Sequence, residues 1–180
     1  MKITFISDTH GLHNHINHHL YGGDIIIHAG DISSVGKIKQ IKNFLDWFDK
    51  TPYKYKIFIA GNHDIEFQNN STKIKELLDK YPNIIYLEDD YVIIEDIKIY
   101  GTPWQPWFLD WAFNLPRKSE ILKKKFDMIP DDTDILITHT PQYGYLDKVN
   151  NKNKGSQLLK DKINEIKPKI HISGHIHSGN

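Results

Sequence analysis

The sequence predicts a layered α/β protein, and three observations carry the prediction. Short apolar runs bounded by turn residues alternate with stretches of helical periodicity. Five of those runs, ITFIS, DIIIHAG, KIFIAG, DILIT and IHISG, end in or are followed within a few residues by Asp, Asn or His. Between the third and fourth lie three further short runs without an intervening helix, which suggests an antiparallel portion and the start of a second sheet. At 180 residues the chain suffices for one domain, 1–180, with a substantial core.

The elements follow in order. Residues 2–7 and 24–28 read as buried strands. Over 35–50, Ile38, Ile41, Leu45 and Phe48 recur at helical spacing and predict an amphipathic helix. A strand over 56–60 and a helix over 72–81 come next, then short strands over 84–87, 91–95 and 98–100. Helices over 119–126 and 156–166 alternate with strands over 134–138 and 169–173. Two stretches stay outside this pattern. Residues 101–116 (GTPWQPWFLDWAFNLP) form a long aromatic loop whose length points to function and whose Trp content argues against disorder. The polar segment 148–155 (KVNNKNKG) reads as a mobile loop.

Composition narrows the function. Lys plus Arg and Asp plus Glu are both 23, so the net charge is zero and no general attraction to nucleic acid or an anionic membrane is expected. The absence of cysteine excludes disulfides, zinc–thiolate sites and thiol catalysis, and favours an intracellular setting. No apolar run nears the roughly 20 residues of a membrane span. The first residues enter a strand directly, so no signal peptide is expected and the expected location is cytoplasmic. The basic residues are 22 Lys and one Arg, Arg117, and stretches such as Lys123-Lys124-Lys125 read as solvated helix faces.

The strand ends carry the chemistry. Asp8 and His10 flank one residue, which puts both side chains on one side of an extended segment. Gly30-Asp31, Gly61-Asn62-His63-Asp64, His139 and Gly174-His175-Ile176-His177 close the other four. Carboxylate, amide and imidazole without sulfur suit Mn, Fe, Zn or Mg. Seven of these nine groups already exceed the needs of one ion, whereas two ions sharing a bridging carboxylate would use all seven, the arrangement suited to in-line attack on phosphorus. His13, His15, His18 and His19 form a second cluster, read as loop and helix surface, and His28 and His171 lie inside apolar strands as core histidines with hydrogen-bond partners.

This series of motifs, in this order, resembles the calcineurin-like metallophosphoesterase superfamily over almost the whole chain. The segment 101–117 followed by IPDDTDILITHTP is similar to the narrower metallophosphoesterase-domain-containing group, whose members resemble cyclic-nucleotide phosphodiesterases. The resemblance implies a four-layer α-β-β-α sandwich of two mixed sheets flanked by helices. It implies one metal on Asp8, His10, Asp31 and His177, and a second on Asp31, Asn62, His139 and His175, with Mn²⁺ the first expectation. It gives His63 a catalytic role beside the metals and makes Asp64 its orienting partner. The chain ends at Asn180, three residues after His177, where relatives usually continue. The expectation is therefore a second sheet incomplete at its C-terminal end and one weakly occupied metal site.

The expected reaction is hydrolysis of a small phosphodiester, such as a 3′,5′-cyclic nucleotide, by metal-bridged hydroxide. Asn62 would neutralise phosphoryl charge, and His63 would act as catalytic acid. Substrate contacts are expected from Asn62, His63, Trp104, as part of an aromatic wall with Trp107 and Trp111, and Arg117, the one guanidinium able to grip phosphate. Two alternatives stand beside this reading. One is a phosphomonoesterase or protein phosphatase of the same fold; the other is a nucleotide-binding or scaffold protein with little turnover. A nuclease is disfavoured because no basic groove is evident.

Overall fold

A computed structural model describes residues 1–178. Strands β1 (Ile3–Ile6), β2 (Gly23–Ala29), β3 (Tyr53–Ile59) and β4 (Ile84–Tyr86) form a four-stranded sheet in that order, parallel throughout. The second sheet runs in the order β12 (Ile170–Ile172), β9 (Ile135–Thr138), β6 (Ile97–Thr102), β5 (Asp90–Ile94). Its β12–β9–β6 portion is parallel and only β5 runs antiparallel. Two expectations are corrected here. The first sheet is not mixed, and the run at 84–87 joins it beside β3 instead of opening the second sheet.

Alternation along the strands decides what packs where. Ile25, Ile27 and Ala29 of β2 with Ile57 and Ile59 of β3 meet Ile99, Ile135, Ile137 and Ile172 of the second sheet in one apolar cluster. The opposite side chains, Ile26 and Phe58, pack against α1 (Ile38–Phe48), α2 (Ile65–Asn69) and α3 (Ser71–Leu78) through Phe44, Phe48, Phe67 and Ile74. On the far side of the second sheet, Tyr100 and Leu136 bury Leu122 and Phe126 of α4 (Glu120–Asp127) and Leu159 of α5 (Gln157–Ile166). Strands buried on both faces read as unbroken apolar runs, which is why periodicity of two is absent from β2 and β9.

Both expected loops carry structure. Within 101–116, β7 (Gln105–Pro106) pairs in parallel with β8 (Asn114–Leu115). The Asn114 amide ties the loop down by donating to the carbonyls of Phe108, Leu109 and Trp111. The segment expected to be mobile is a hairpin, β10 (Lys148–Val149) with β11 (Lys152–Asn153). The Asp147 carboxylate, which accepts from the amides of Gly144 and Gly155, pins its base. A 3-10 helix (His13–His19) takes up the second histidine cluster, and His13, expected at the surface, is fully buried between Phe44 and Trp47.

Candidate metal centre

In a parallel sheet all strands point their C-terminal ends to one edge. Because β9 and β12 also run alongside one another, the ends of five strands converge, and the two sheets are stitched there by polar contacts. The Asp8 carboxylate accepts from the His175 amide at 2.9 and 3.1 Å, and His139 Nδ1 donates to the Ala29 carbonyl at 2.9 Å. The chain turns sharply at this edge. Asp8, His10, Asp31 and His175 all take positive φ, between 45° and 69°, a region costly for side chains with a Cβ. Gly30 turns with φ +95°, and a Cβ there would sit 2.5 Å from His139 Nδ1. A Cβ on Gly61 would overlap the Asp31 carboxylate.

Seven expected donors meet as two groups around Asp31. On one side His177 Nε2 lies 3.3 Å from both His10 Nε2 and Asp8 Oδ1, and His10 Nε2 is 3.8 Å from Asp31 Oδ2. On the other side Asn62 Oδ1 is 3.0 Å from His139 Nε2 and 2.8 Å from His175 Nδ1, and His139 Nε2 is 3.3 Å from Asp31 Oδ2. Ligand atoms of Asp8, His10 and His177, and of Asp31, His139 and His175, each fall within 4.8 Å of one another. Asp31 is buried, and its other oxygen, Oδ1, accepts from the His63 amide at 2.8 Å, which aims Oδ2 into the site.

The charges show what such a cluster lacks. Burial pushes His175 down to about 3, with the neighbouring His139 adding to the effect, and burial also lowers His10, so both imidazoles keep free lone pairs. Burial opposes protonation of His139 too, but the Asp31 and Asp8 carboxylates and the Ala29 carbonyl outweigh it and raise His139 to about 9. Burial acts to raise Asp31, yet His139 and the His63 amide hold it well below the usual carboxylate range. Apart from His139, whose Nε2 proton a cation would displace, lone pairs of oxygen and nitrogen face one another across two adjoining spaces. This hard, sulfur-free donor set fits two divalent cations with Asp31 between them.

His63 stands beside the cluster, its Nε2 3.9 Å from Asp31 Oδ2. Its Nδ1 is 2.6 Å from the Ser34 carbonyl, which can only accept, so Nδ1 holds the hydrogen and Nε2 is the free position. Asp64 does not orient it. Both Asp64 oxygens are taken by the amides of Gly61, Ile32 and Ser33 and by the Ser33 hydroxyl, so this buried carboxylate braces the Asp31 loop against the β3 turn. Burial, then the nearby Asp31, pushes Asp64 up to about 7 against those four donors. Trp104 is also corrected: its indole donates to Asp89, packs edge-on against Phe113 and lies under Lys125, partly buried against two of the apolar clusters. Aromatic groups at the site include Trp111, 4.1 Å from the His63 ring, Phe108, edge-on to His175 at 5.5 Å, and Trp107, which lines a cavity with His175 and His177. Arg117 shares a cavity of about 250 Å³ with Phe108, His175 and His177.

Two sheets that gather two carboxylates, one amide and four imidazoles on a common edge define a metallophosphoesterase type of α/β protein. A family profile described as calcineurin-like phosphoesterase matches residues 1–179, and the chain belongs to that family, whose members use a dimetal centre to hydrolyse phosphoesters. Among curated relatives, metallophosphoesterase domain-containing protein 1 of Homo sapiens is 39% identical over 99% of this chain and 61% of its own length. The UPF0046 protein T07D4.2 of Caenorhabditis elegans is 36% identical over 99% of this chain and 52% of its own length. The chain thus spans between about half and three fifths of these relatives. The crystal structure of TT1561 of Thermus thermophilus superposes with a TM-score of 0.68 at 14% identity, covering 95% of this chain and 80% of that one. A second solved structure gives 0.73 at 17% identity over 97% and 83%, and both show likeness of fold.

Proposed function

We propose that this chain is a dimetal phosphodiesterase acting on small phosphodiesters of the nucleotide type, 3′,5′-cyclic nucleotides among them. The observation that carries the reading is the placement of Asp31 between two sets of donors, with His63 free at Nε2 beside them. Asp8, His10, Asp31 and His177 would hold one ion, and Asp31, Asn62, His139 and His175 the other, with Mn²⁺ the first choice. Two bound divalent ions would supply Lewis acidity and lower the pKa of bound water toward neutrality. The chain supplies the rest. Asn62 fixes the substrate beside its own ligand position, and the stitched strand ends hold the donors rigid, so little reorganisation is needed on binding. His63 in its protonated form carries a proton on Nε2 that it can pass to the departing alkoxide. The Ser34 carbonyl and the Trp111 ring keep that nitrogen facing the site.

The test is hydrolysis of bis-p-nitrophenyl phosphate, p-nitrophenyl phosphate and cyclic AMP, with Mn²⁺ or with a chelator. Diester turnover that disappears on chelation and in His63→Ala is the expected result. Faster cleavage of the monoester would make the protein a phosphatase. Tight nucleotide binding with no turnover would make it a binding protein.

A further inference from the structure

We propose that the metal cleft continues into a second anion subsite, built by Arg117, Lys118 and Lys154, which selects phosphodiesters carrying a further phosphate. This deepens the phosphodiesterase reading and rests on it for the position of the first phosphorus. The cavity that holds His175 and His177 is also lined by Arg117 and Lys154. Those same two residues also line a larger cavity of about 570 Å³, together with Lys118, Tyr143 and Gln157. The two spaces therefore share a wall of positive charge. Arg117 is anchored there: Nη1 donates to the carbonyls of Lys154 and Gly155, both at 2.9 Å, leaving its other N–H groups for a ligand.

No carboxylate pairs directly with these cations. Among the described residues Arg117, Lys118, Lys154 and Lys160 are in no ion pair, while Lys123, Lys125 and Lys162 on the neighbouring helices each hold a carboxylate. Two acids close to these cations along the chain hydrogen-bond to neutral donors instead of pairing with them. Asp147 is buried on the amides of Gly144 and Gly155, and Asp161 takes the Gln157 amide. Lys160 lies over the faces of Tyr143 and Tyr145, at 5.8 and 5.7 Å from the ring centres, and extends the positive field along the same wall. In a chain of zero net charge, unpaired cations gathered beside a phosphoester site suit a second phosphate better than a neutral group. A 3′,5′-cyclic mononucleotide has none to offer, so the favoured class is a linear diester such as a phosphorylated dinucleotide.

Two matched comparisons test this. With the Mn²⁺-loaded protein, binding of thymidine 5′-phosphate and thymidine 3′,5′-bisphosphate is measured by calorimetry. Turnover of the dinucleotide TpT is compared with that of pTpT and TpTp. The bisphosphate is expected to bind about tenfold tighter, and one phosphorylated dinucleotide to gain about tenfold in kcat/KM. Both ratios should fall to within about twofold of one in Lys118→Ala/Lys154→Ala and shrink between about 50 and 300 mM salt. Lys118 and Lys154 are exposed, so the variant should fold, and the charge-reversed pair Lys118→Glu/Lys154→Glu should invert the preference. Ratios near one in the wild type, or ratios the variants leave intact, overturn the subsite. Absence of any diester turnover while the binding preference persists overturns the phosphodiesterase reading and leaves the subsite standing.

Discussion

Asp31 is the residue on which the centre turns, because one oxygen is fixed by the His63 amide and the other faces both donor groups. Asp31→Asn should leave the protein with neither ion, whereas His63→Ala should keep both ions and lose about 10²–10⁴ in kcat. Elemental analysis of the two purified variants beside their rates separates these outcomes, and metal retained in full by Asp31→Asn would refute the bridging role. A second prediction concerns His28, fully buried with Nε2 on the Thr9 hydroxyl and Nδ1 without a partner. Burial lowers it to about 3, so the folded state keeps it neutral where the unfolded chain, near 6.5, takes up a proton. The unfolded state binds more protons between those values, hence stability rises with pH up to about 6.5 and is flat above it. Acidifying the chelated protein from about pH 6.5 to 5 should cost about 2 kcal/mol through this residue alone, and denaturant melts of His28→Gln should lack that part of the slope. The candidate metal donors are legible in the sequence because each sits on a motif closing an apolar run. The Ser34 carbonyl is not, since a backbone acceptor has no letter of its own. Asp64 misleads because adjacency to His63 in sequence says nothing about which donors its buried carboxylate meets.

At the scale of elements, apolar periodicity locates the longer strands and helices to within a few residues, and it fails where pairing depends on distant partners. β7 and β8 are two residues each and exist because 101–116 folds back on itself through Asn114. The sequence points β4 to the wrong sheet for a related reason: a three-residue strand carries no sign of which neighbour its backbone will join. The β10–β11 hairpin looks mobile from its polar letters, yet Asp147 is 1% exposed and satisfies two amides at its base. Asp147→Ala would leave both amides without that acceptor, at about 1–3 kcal/mol each where water cannot replace it. Hydrogen exchange should then quicken over 142–156 while β2 and β3 keep their protection. Unchanged exchange in the hairpin would show that its two ladder pairs suffice without the carboxylate.

For the whole molecule, the proposed centre would also fasten the two sheets together. Asp8, His10, Asp31 and Asn62 follow strands of the first sheet, and His139, His175 and His177 follow strands of the second. Ions bound to both sets stabilise only the folded arrangement, since no unfolded chain brings residues 8 and 177 together. At a free metal concentration of about 100 times each Kd this linkage contributes about 2.7 kcal/mol per ion, about 5 kcal/mol for two, and for a domain of this size the total corresponds to roughly 10–20 °C in Tm. Chelation of the wild type should therefore lower Tm by that amount, and Mn²⁺ should restore it. Asp31→Asn should melt at one temperature with or without chelator, because its two half-sites no longer share a carboxylate. The sheets would still adhere through the isoleucine cluster between them, so the metal-free protein should unfold cooperatively and not come apart in stages. A wild-type Tm indifferent to chelator, with metal shown to be present beforehand, would mean that the ions sit on one sheet alone and that Asp31 does not join the two halves.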